Sequence, residues 1–312
     1  MGNSDKRILV KIAYYYYRLG MTQGEIAQKL SISRQKVNRL VKALIEEGIV
    51  EIKINGYENY HIDLERKLEK EFGLQEALIV PGVQGESTLE KLGMAGAGYL
   101  SKVVDDNCVL GVSWGNTLSA VAVNLASEPK RNVSVVQMVG GLNLKNISIK
   151  AEEITNIIAR KFEGAPYLMY APAVVRDTKV KEALKSDQSI KKIFNLIKKC
   201  KVALVGIGAL SKDSTLFKEN YLSCADLREL REANCVGDIC SRYYDINGNL
   251  VSDHISSRVM SPEMADLQNI DLVIGVAAGE EKADAIFGAL KGQYLDVLIT
   301  DNVTGEEILK KC

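Results

Sequence analysis

The segment GVSWGNTL at 111–118 ends an apolar run and opens a helical pattern. Gly111 and Gly115 let a backbone approach a ligand closely, and Ser113, Asn116 and Thr117 supply hydroxyl and amide groups. The first turn of the following helix carries N–H groups with no partner inside the helix, which suits an anion. Trp114 could stack on a sugar or plug the core. Three further strand ends carry similar chemistry. VALVGIGAL contributes Gly206 and Gly208, VGDI contributes Asp238, and AAGEEKADAI contributes Gly279 and Lys282. A carboxylate such as Asp238 accepts from sugar hydroxyls, and Lys282 is a natural phosphate partner. A lysine in the first turn of a helix opposes the macrodipole unless an anion sits beside it, so Lys282 is the most informative of the set. Each loop alone fits a plain strand-to-helix turn equally well. The Gly/Lys spacings of a Walker loop or a dinucleotide fingerprint are absent. No cofactor is expected.

These residues need elements to bring them together. Apolar runs at 76–81, 108–113, 133–140, 166–171, 201–208, 271–279 and 294–301 read as strands. Helical patterns lie between them at 86–103, 116–126, 150–163, 178–199, 262–268, 281–291 and 304–311. Such alternation predicts an α/β domain with a mostly parallel sheet covered on both faces. Ligands then gather beyond the carboxyl ends of the strands. The segment GDICSRYYDINGNLV breaks the rhythm, and Asn247-Gly248 predicts a hairpin turn and a local antiparallel addition.

A different chemistry opens the chain. In MTQGEIAQKLSISRQKVNRLVKALIEEGIVEIKI, Thr22 can cap a helix, with Glu25 at the capping-box position. The stretch SIS is a turn, and Ser33 caps a second helix whose apolar face is Val37, Leu40, Val41 and Leu44. Its other face carries Arg34, Gln35, Asn38 and Arg39. Arg, Gln and Asn can pair with base edges, and a second helix in this layout enters the major groove N-terminus first. Thr22 and Gln23 fall where the first helix meets phosphate. IVEIKI alternates like a strand, so a short wing is expected.

Charge agrees with this division. Residues 1–55 hold ten Lys or Arg and five Asp or Glu, so the head is +5 and the rest of the neutral chain is −5. A basic head on an acidic body predicts a polyanion partner for the head. We expect a helix-turn-helix domain at 1–55, a linker helix at 56–76 and an effector domain at 77–312. In the linker, Leu64, Leu68 and Phe72 share one face, while Glu65 with Glu69 and Arg66 with Lys70 mark a wet side. Six cysteines form no C-x-x-C pair, and His61 and His254 complete no metal spacing, so no metal is expected. No apolar run is long enough to span a bilayer. A cytoplasmic protein with reduced thiols and no membrane partner is expected.

Five ordered blocks, from the head through GVSWGNTL, VALVGIGAL and VGDICSRYYDINGNLV to AGEEKADAIFGALKGQYLDVLITD, resemble the SorC family of sugar-responsive bacterial transcriptional regulators. The resemblance implies a helix-turn-helix head and a Rossmann-like effector domain similar to phosphosugar isomerases and glucosamine-phosphate deaminases. It places the phosphate loop on Ser113 to Thr117, a glycine strand end on Gly206 to Gly208, a sugar contact on Asp238 and a phosphate contact on Lys282. It implies double-stranded operator DNA and a phosphorylated sugar or polyol as partners, and a homodimer or homotetramer. The alternative is a sugar-phosphate isomerase or deaminase with an appended head. That chemistry needs a base near a carbon-bound proton, for which Asp238 is the one carboxylate the strand ends nominate.

Overall fold

The computed structural model describes residues 3–53, 61–82, 86–141, 150–211, 217, 221–251 and 254–312. The chain divides into two compact units, Met1–Glu58 and Asn59–Cys312.

In the first unit, α1 (Asn3–Ala13) runs into one π turn over Tyr14–Arg18, and α2 (Gln23–Leu30) and α3 (Arg34–Glu46) follow. Gly20 takes a left-handed φ of 64° where the first helix stops. Leu9, Ile12, Ile26, Ala27, Val37 and Leu44 make the small core. Residues 49–53, expected to begin a wing strand, hold no strand pairing; the remainder of that segment lies outside the described residues. Ile49 and Val50 instead pack against the helical core, which takes their apolar surface without a ladder.

The second unit begins with α4 (Ile62–Phe72) and β1 (Glu76–Val80). Then come α5 (Glu86–Val103), β2 (Val109–Val112), α6 (Asn116–Asn124), β3 (Ser134–Gln137), α7 (Ala151–Lys161) and β4 (Ala165–Tyr167). Next are α8 (Thr178–Ser186), α9 (Gln188–Ile197), β5 (Val202–Ala209), α10 (Cys224–Glu232), β6 (Cys235–Ile239) and β7 (Arg242–Asp245). The unit ends with α11 (Met264–Gln268), β8 (Leu272–Val276), α12 (Ala283–Lys291), β9 (Val297–Asp301) and α13 (Asn302–Leu309). Seven parallel strands lie in the order β1-β9-β8-β5-β2-β3-β4, and the β6–β7 hairpin hangs antiparallel from the end of β5. Side chains alternate across the sheet as a period of two requires. Val202 and Leu204 enter one apolar cluster, and Ala203 and Val205 enter the other.

Several expectations change. The helix expected over 178–199 is two helices. Asp187 ends the first with an extended ψ of 138° and caps the second, accepting from the Ser189 N–H at 2.9 Å. The hairpin turn sits at Cys240-Ser241, where φ is 53° and 60°, the left-handed pair that a two-residue turn demands. Asn247-Gly248 makes a second turn, closed by a single bridge between Tyr244 and Leu250.

The expected linker helix is part of the body, with residues 56–60 outside the described set. Leu68 is fully buried, Phe72 meets Phe287 edge-on at 5.8 Å, and Leu64 lies over Gly305. The carboxylates assigned to its wet side turn inward. Glu65 accepts from the Ile79 N–H at 2.9 Å and Glu69 from the Ala77 N–H at 3.0 Å. Four helical residues rise about 6 Å. Two strand residues span about 6.6 Å, so the spacings match. The β1 edge would otherwise present open amides. At the opposite edge, the Ala165 N–H donates inward to the Val133 oxygen at 2.9 Å, which leaves Pro166 as the outward residue of β4.

Candidate functional site

The connections leave β2 and β5 in opposite directions: β2 leads to β3 and β4, and β5 leads to β8 and β9. A crevice opens at such a switch point, beyond the carboxyl ends. A cavity of about 310 Å³ lies there.

Nine of the ten body residues singled out from sequence line it. Ser113 continues β2, and its N–H donates to the Leu204 oxygen at 3.0 Å, which fixes the loop against β5. Gly115 has φ 134°, a conformation a side chain rarely tolerates, and it precedes α6 directly. The α6 N-terminus therefore faces the cavity, with Asn116 and Thr117 on its first turn. Trp114 packs against both apolar clusters, as a core plug would, and also lines the cavity.

Asp238 comes from β6, and its register partner on β5 is Gly208. A side chain at Gly208 would collide with the Asp238 carboxylate. The other Asp238 oxygen accepts from the Ser241 N–H at 2.9 Å and closes the Cys240-Ser241 turn. Burial pushes the Asp238 carboxyl up to about 6, against the opposing pull of the Ser241 N–H and the Lys282 charge. At Gly206 a Cβ would make only ordinary contact, 3.4 Å from the Trp114 carbonyl oxygen.

Lys282 enters from the loop after β8, at the start of α12. Burial holds its ammonium below the usual lysine range, while Glu281 and Asp238 pull it back up. Among the described residues it has no ion pair or hydrogen-bond partner. The tenth residue, Gly279, does not line the cavity. It takes φ 121°, and its N–H donates to the Thr304 hydroxyl at 2.8 Å, so it shapes the turn that carries Lys282. Tyr244 donates to the Ala285 carbonyl at 3.0 Å and ties the β6–β7 hairpin to α12, which fixes Asp238 relative to Lys282.

Sequence reasoning missed Cys240, Tyr243 and Glu281 on the cavity wall. Tyr243 pairs with Asp238 in the hairpin register, so a turn placed at Cys240-Ser241 would have revealed it. Burial pushes the Cys240 thiol up to about 12, so it stays protonated beside Ser113. His254 is exposed, and neither histidine lines the cavity.

In the head, Thr22 and Glu25 form a reciprocal capping box, and the Ser33 hydroxyl accepts from the Lys36 N–H at 3.2 Å. Arg34, Gln35, Asn38 and Arg39 are all exposed, on the side of α3 away from buried Val37, Val41 and Leu44. Gln23 is half-buried and donates to Asn38 at 3.4 Å, so the two helices present these amides together.

A polar helix face beside a capped turn, and a separate α/β body with a polar cavity at its switch point, define a DNA-binding regulator with a small-molecule domain. Residues 59–310 match the family model described as "Putative sugar-binding domain", and residues 20–51 match "Winged helix-turn-helix DNA-binding". The chain is 35% identical to the sorbitol operon regulator of Klebsiella pneumoniae, over 99% of this chain and 100% of that one. It is 32% identical to the deoxyribonucleoside regulator of Bacillus subtilis (strain 168), over 99% of each. The crystal structure of the full-length Klebsiella regulator SorC superposes with a TM-score of 0.77, covering 99% of this chain and 100% of that one. The chain belongs to the SorC family of sugar-binding transcriptional regulators. It is a transcriptional regulator, like the relatives it matches, with a DNA-binding domain and a domain for a sugar effector. Among the described residues, no helix is long and apolar enough to cross a membrane.

Proposed function

We propose that this regulator controls a carbohydrate-utilisation operon and that a phosphorylated sugar or polyol in the body cavity sets its affinity for operator DNA. One observation carries the reading: the α6 N-terminus, Asp238 and an ammonium that makes no ion pair or hydrogen bond among the described residues converge on one cavity. At about 310 Å³ that cavity suits one monosaccharide-sized ligand. In this reading the amides and hydroxyls of Ser113 to Thr117 and the Lys282 ammonium take the phosphate. Asp238 accepts from hydroxyls on the sugar, and Gly206 and Gly208 line the floor, where a side chain at Gly208 would press on the Asp238 carboxylate. The names of the two relatives, a sorbitol operon regulator and a deoxyribonucleoside regulator, support a metabolite of this class.

In the head, Arg34, Gln35, Asn38 and Arg39 read base edges in the major groove, and Thr22, Gln23 and Ser33 sit by phosphates. Readers of this type bind two half-sites, which favours a homodimer or homotetramer. Effector and DNA then bias each other by the same factor.

A thermal-shift screen of phosphorylated against free sugars tests the reading. At about 100 times its dissociation constant, the effector should stabilise the body by about 2.7 kcal/mol. No shift with any sugar phosphate, or an undiminished shift in Lys282→Ala, refutes it.

A further inference from the structure

The body is acidic overall, yet its charge is not spread evenly. Residues 176–201 hold nine Lys or Arg against three Asp or Glu, a net +6. The remaining body residues, 56–175 and 202–312, therefore carry −11. Two of the three acids in the basic stretch are committed to the backbone: Asp177 caps α8 and Asp187 caps α9.

The lysines concentrate on α9 and the residues just after it. Ile190, Ile193, Phe194 and Ile197 form the buried face. At 3.6 residues per turn, Lys191, Asn195 and Lys192 fall within an arc of roughly 100° on the other side, and Lys198 and Lys199 follow in the turn directly after Ile197. All five are exposed, and the face carries no acid of its own. Lys192 rests on the Tyr167 ring at 5.6 Å, and Lys198 reaches Asp266 of α11 only at 3.8 Å. Cations near a helix C-terminus complement the macrodipole, but that effect fades beyond the last turn and does not account for Lys191 and Lys192.

We propose that this face of α9 is a second contact for duplex DNA, made to the phosphate backbone without reading sequence. The proposal rests on the chain's being a DNA-binding regulator. Flexible lysines without a planar fork suit phosphate positioning, and they stand in two adjacent pairs, one on α9 and one in the turn after it. A duplex held by the head extends beyond the bases that the head reads, and that flanking backbone supplies the polyanion. The −11 balance elsewhere in the body keeps this contact confined to one surface.

The test uses the full chain and a fluorescein-labelled random-sequence duplex of about 40 base pairs, with anisotropy measured from 50 to 200 mM salt. Binding by the wild type checks the DNA-binding reading independently of the proposal. Replacing Lys191, Lys192, Lys198 and Lys199 by Gln should lower the slope of log affinity against log salt by up to about 3.6. The ratio of wild-type to variant affinity should then shrink by up to about 100-fold across that salt range. Changing all four to Arg should keep the slope. Lys67→Gln with Lys70→Gln, on the exposed side of α4, should leave it unchanged. The 191/192 and 198/199 pairs are also tested separately, so a folding failure of the fourfold variant leaves two readable halves. An unaltered slope in the Gln variants overturns the proposal. So does an unaltered slope with a changed sedimentation coefficient, which would assign the lysines to the acidic surface of another copy.

Discussion

Replacing Asp238 by Asn should make the unliganded body more stable at neutral pH, although it removes a polar partner from the cavity. The carboxyl is raised from 3.8 to about 6 in the folded chain, mainly by burial. An acid whose folded value is raised binds its proton more tightly in the native state. The stability it contributes is complete below about 3.8, falls as pH rises towards 6, and is gone above that. Two pH units correspond to about 3 kcal/mol, a net value that already contains the attraction to Lys282, and burying the Asn amide in place of a protonated carboxyl takes back part of it. A gain of about 2 kcal/mol at pH 7.5 is expected, or about 4 to 8 °C in the body's Tm. Asn keeps an oxygen to accept from the Ser241 N–H, so the hairpin turn survives. Calorimetry on wild type and variant at pH 4.5 and 7.5 reads the effect, with the two domains fitted as separate transitions. A difference in Tm that is the same at both pH values would show that the carboxyl is not desolvated as described.

Other perturbations separate the parts of the molecule. Gly208→Ala drives a methyl into the Asp238 carboxylate, so the sugar-phosphate thermal shift should shrink at least tenfold in ligand potency while the fold persists by circular dichroism. Arg34→Ala or Asn38→Ala should each cost about 1 to 3 kcal/mol at a selected operator and relax discrimination at one position, read by binding to operator variants. Glu69→Ala strips the acceptor from the Ala77 N–H and should destabilise the body by about 1 kcal/mol in urea melts, whereas Glu69→Gln should cost less.

Much of the cavity was legible because its chemistry sits at strand ends, and strand ends are what apolar runs reveal. Ser113 to Thr117, Gly206, Gly208 and Lys282 needed only a list of strands and a parallel sheet, whereas Asp238 stands on the antiparallel β6 and was found by its residue type. Gly279 was placed among the effector contacts at a strand-to-helix turn, but its work is in the turn and not on the cavity wall. Tyr243 was hidden by choosing Asn247-Gly248 as the hairpin turn. Cys240-Ser241 carries no glycine or asparagine to announce left-handed geometry, and Asp238 stabilises it from outside the turn. The roles of Glu65 and Glu69 were hidden for a related reason. Periodicity separates apolar from polar positions, and it cannot say that a carboxylate will serve an uncapped strand edge. The division of 178–199 turned on Asp187 alone, an acid in mid-pattern whose capping role needs the backbone break to be seen.

The two margins of the sheet carry a consequence for assembly. On one margin, a pair of glutamates already occupies amides that another strand would seek. On the other, the single outward position is an imino acid with no hydrogen to give. At these two rims the outward N–H groups are taken or missing, so adding a strand there gains a visiting chain few ladder bonds. Substitutions on the helices and loops leave both guarded rims in place, so the surface can vary without opening these edges to runaway strand addition.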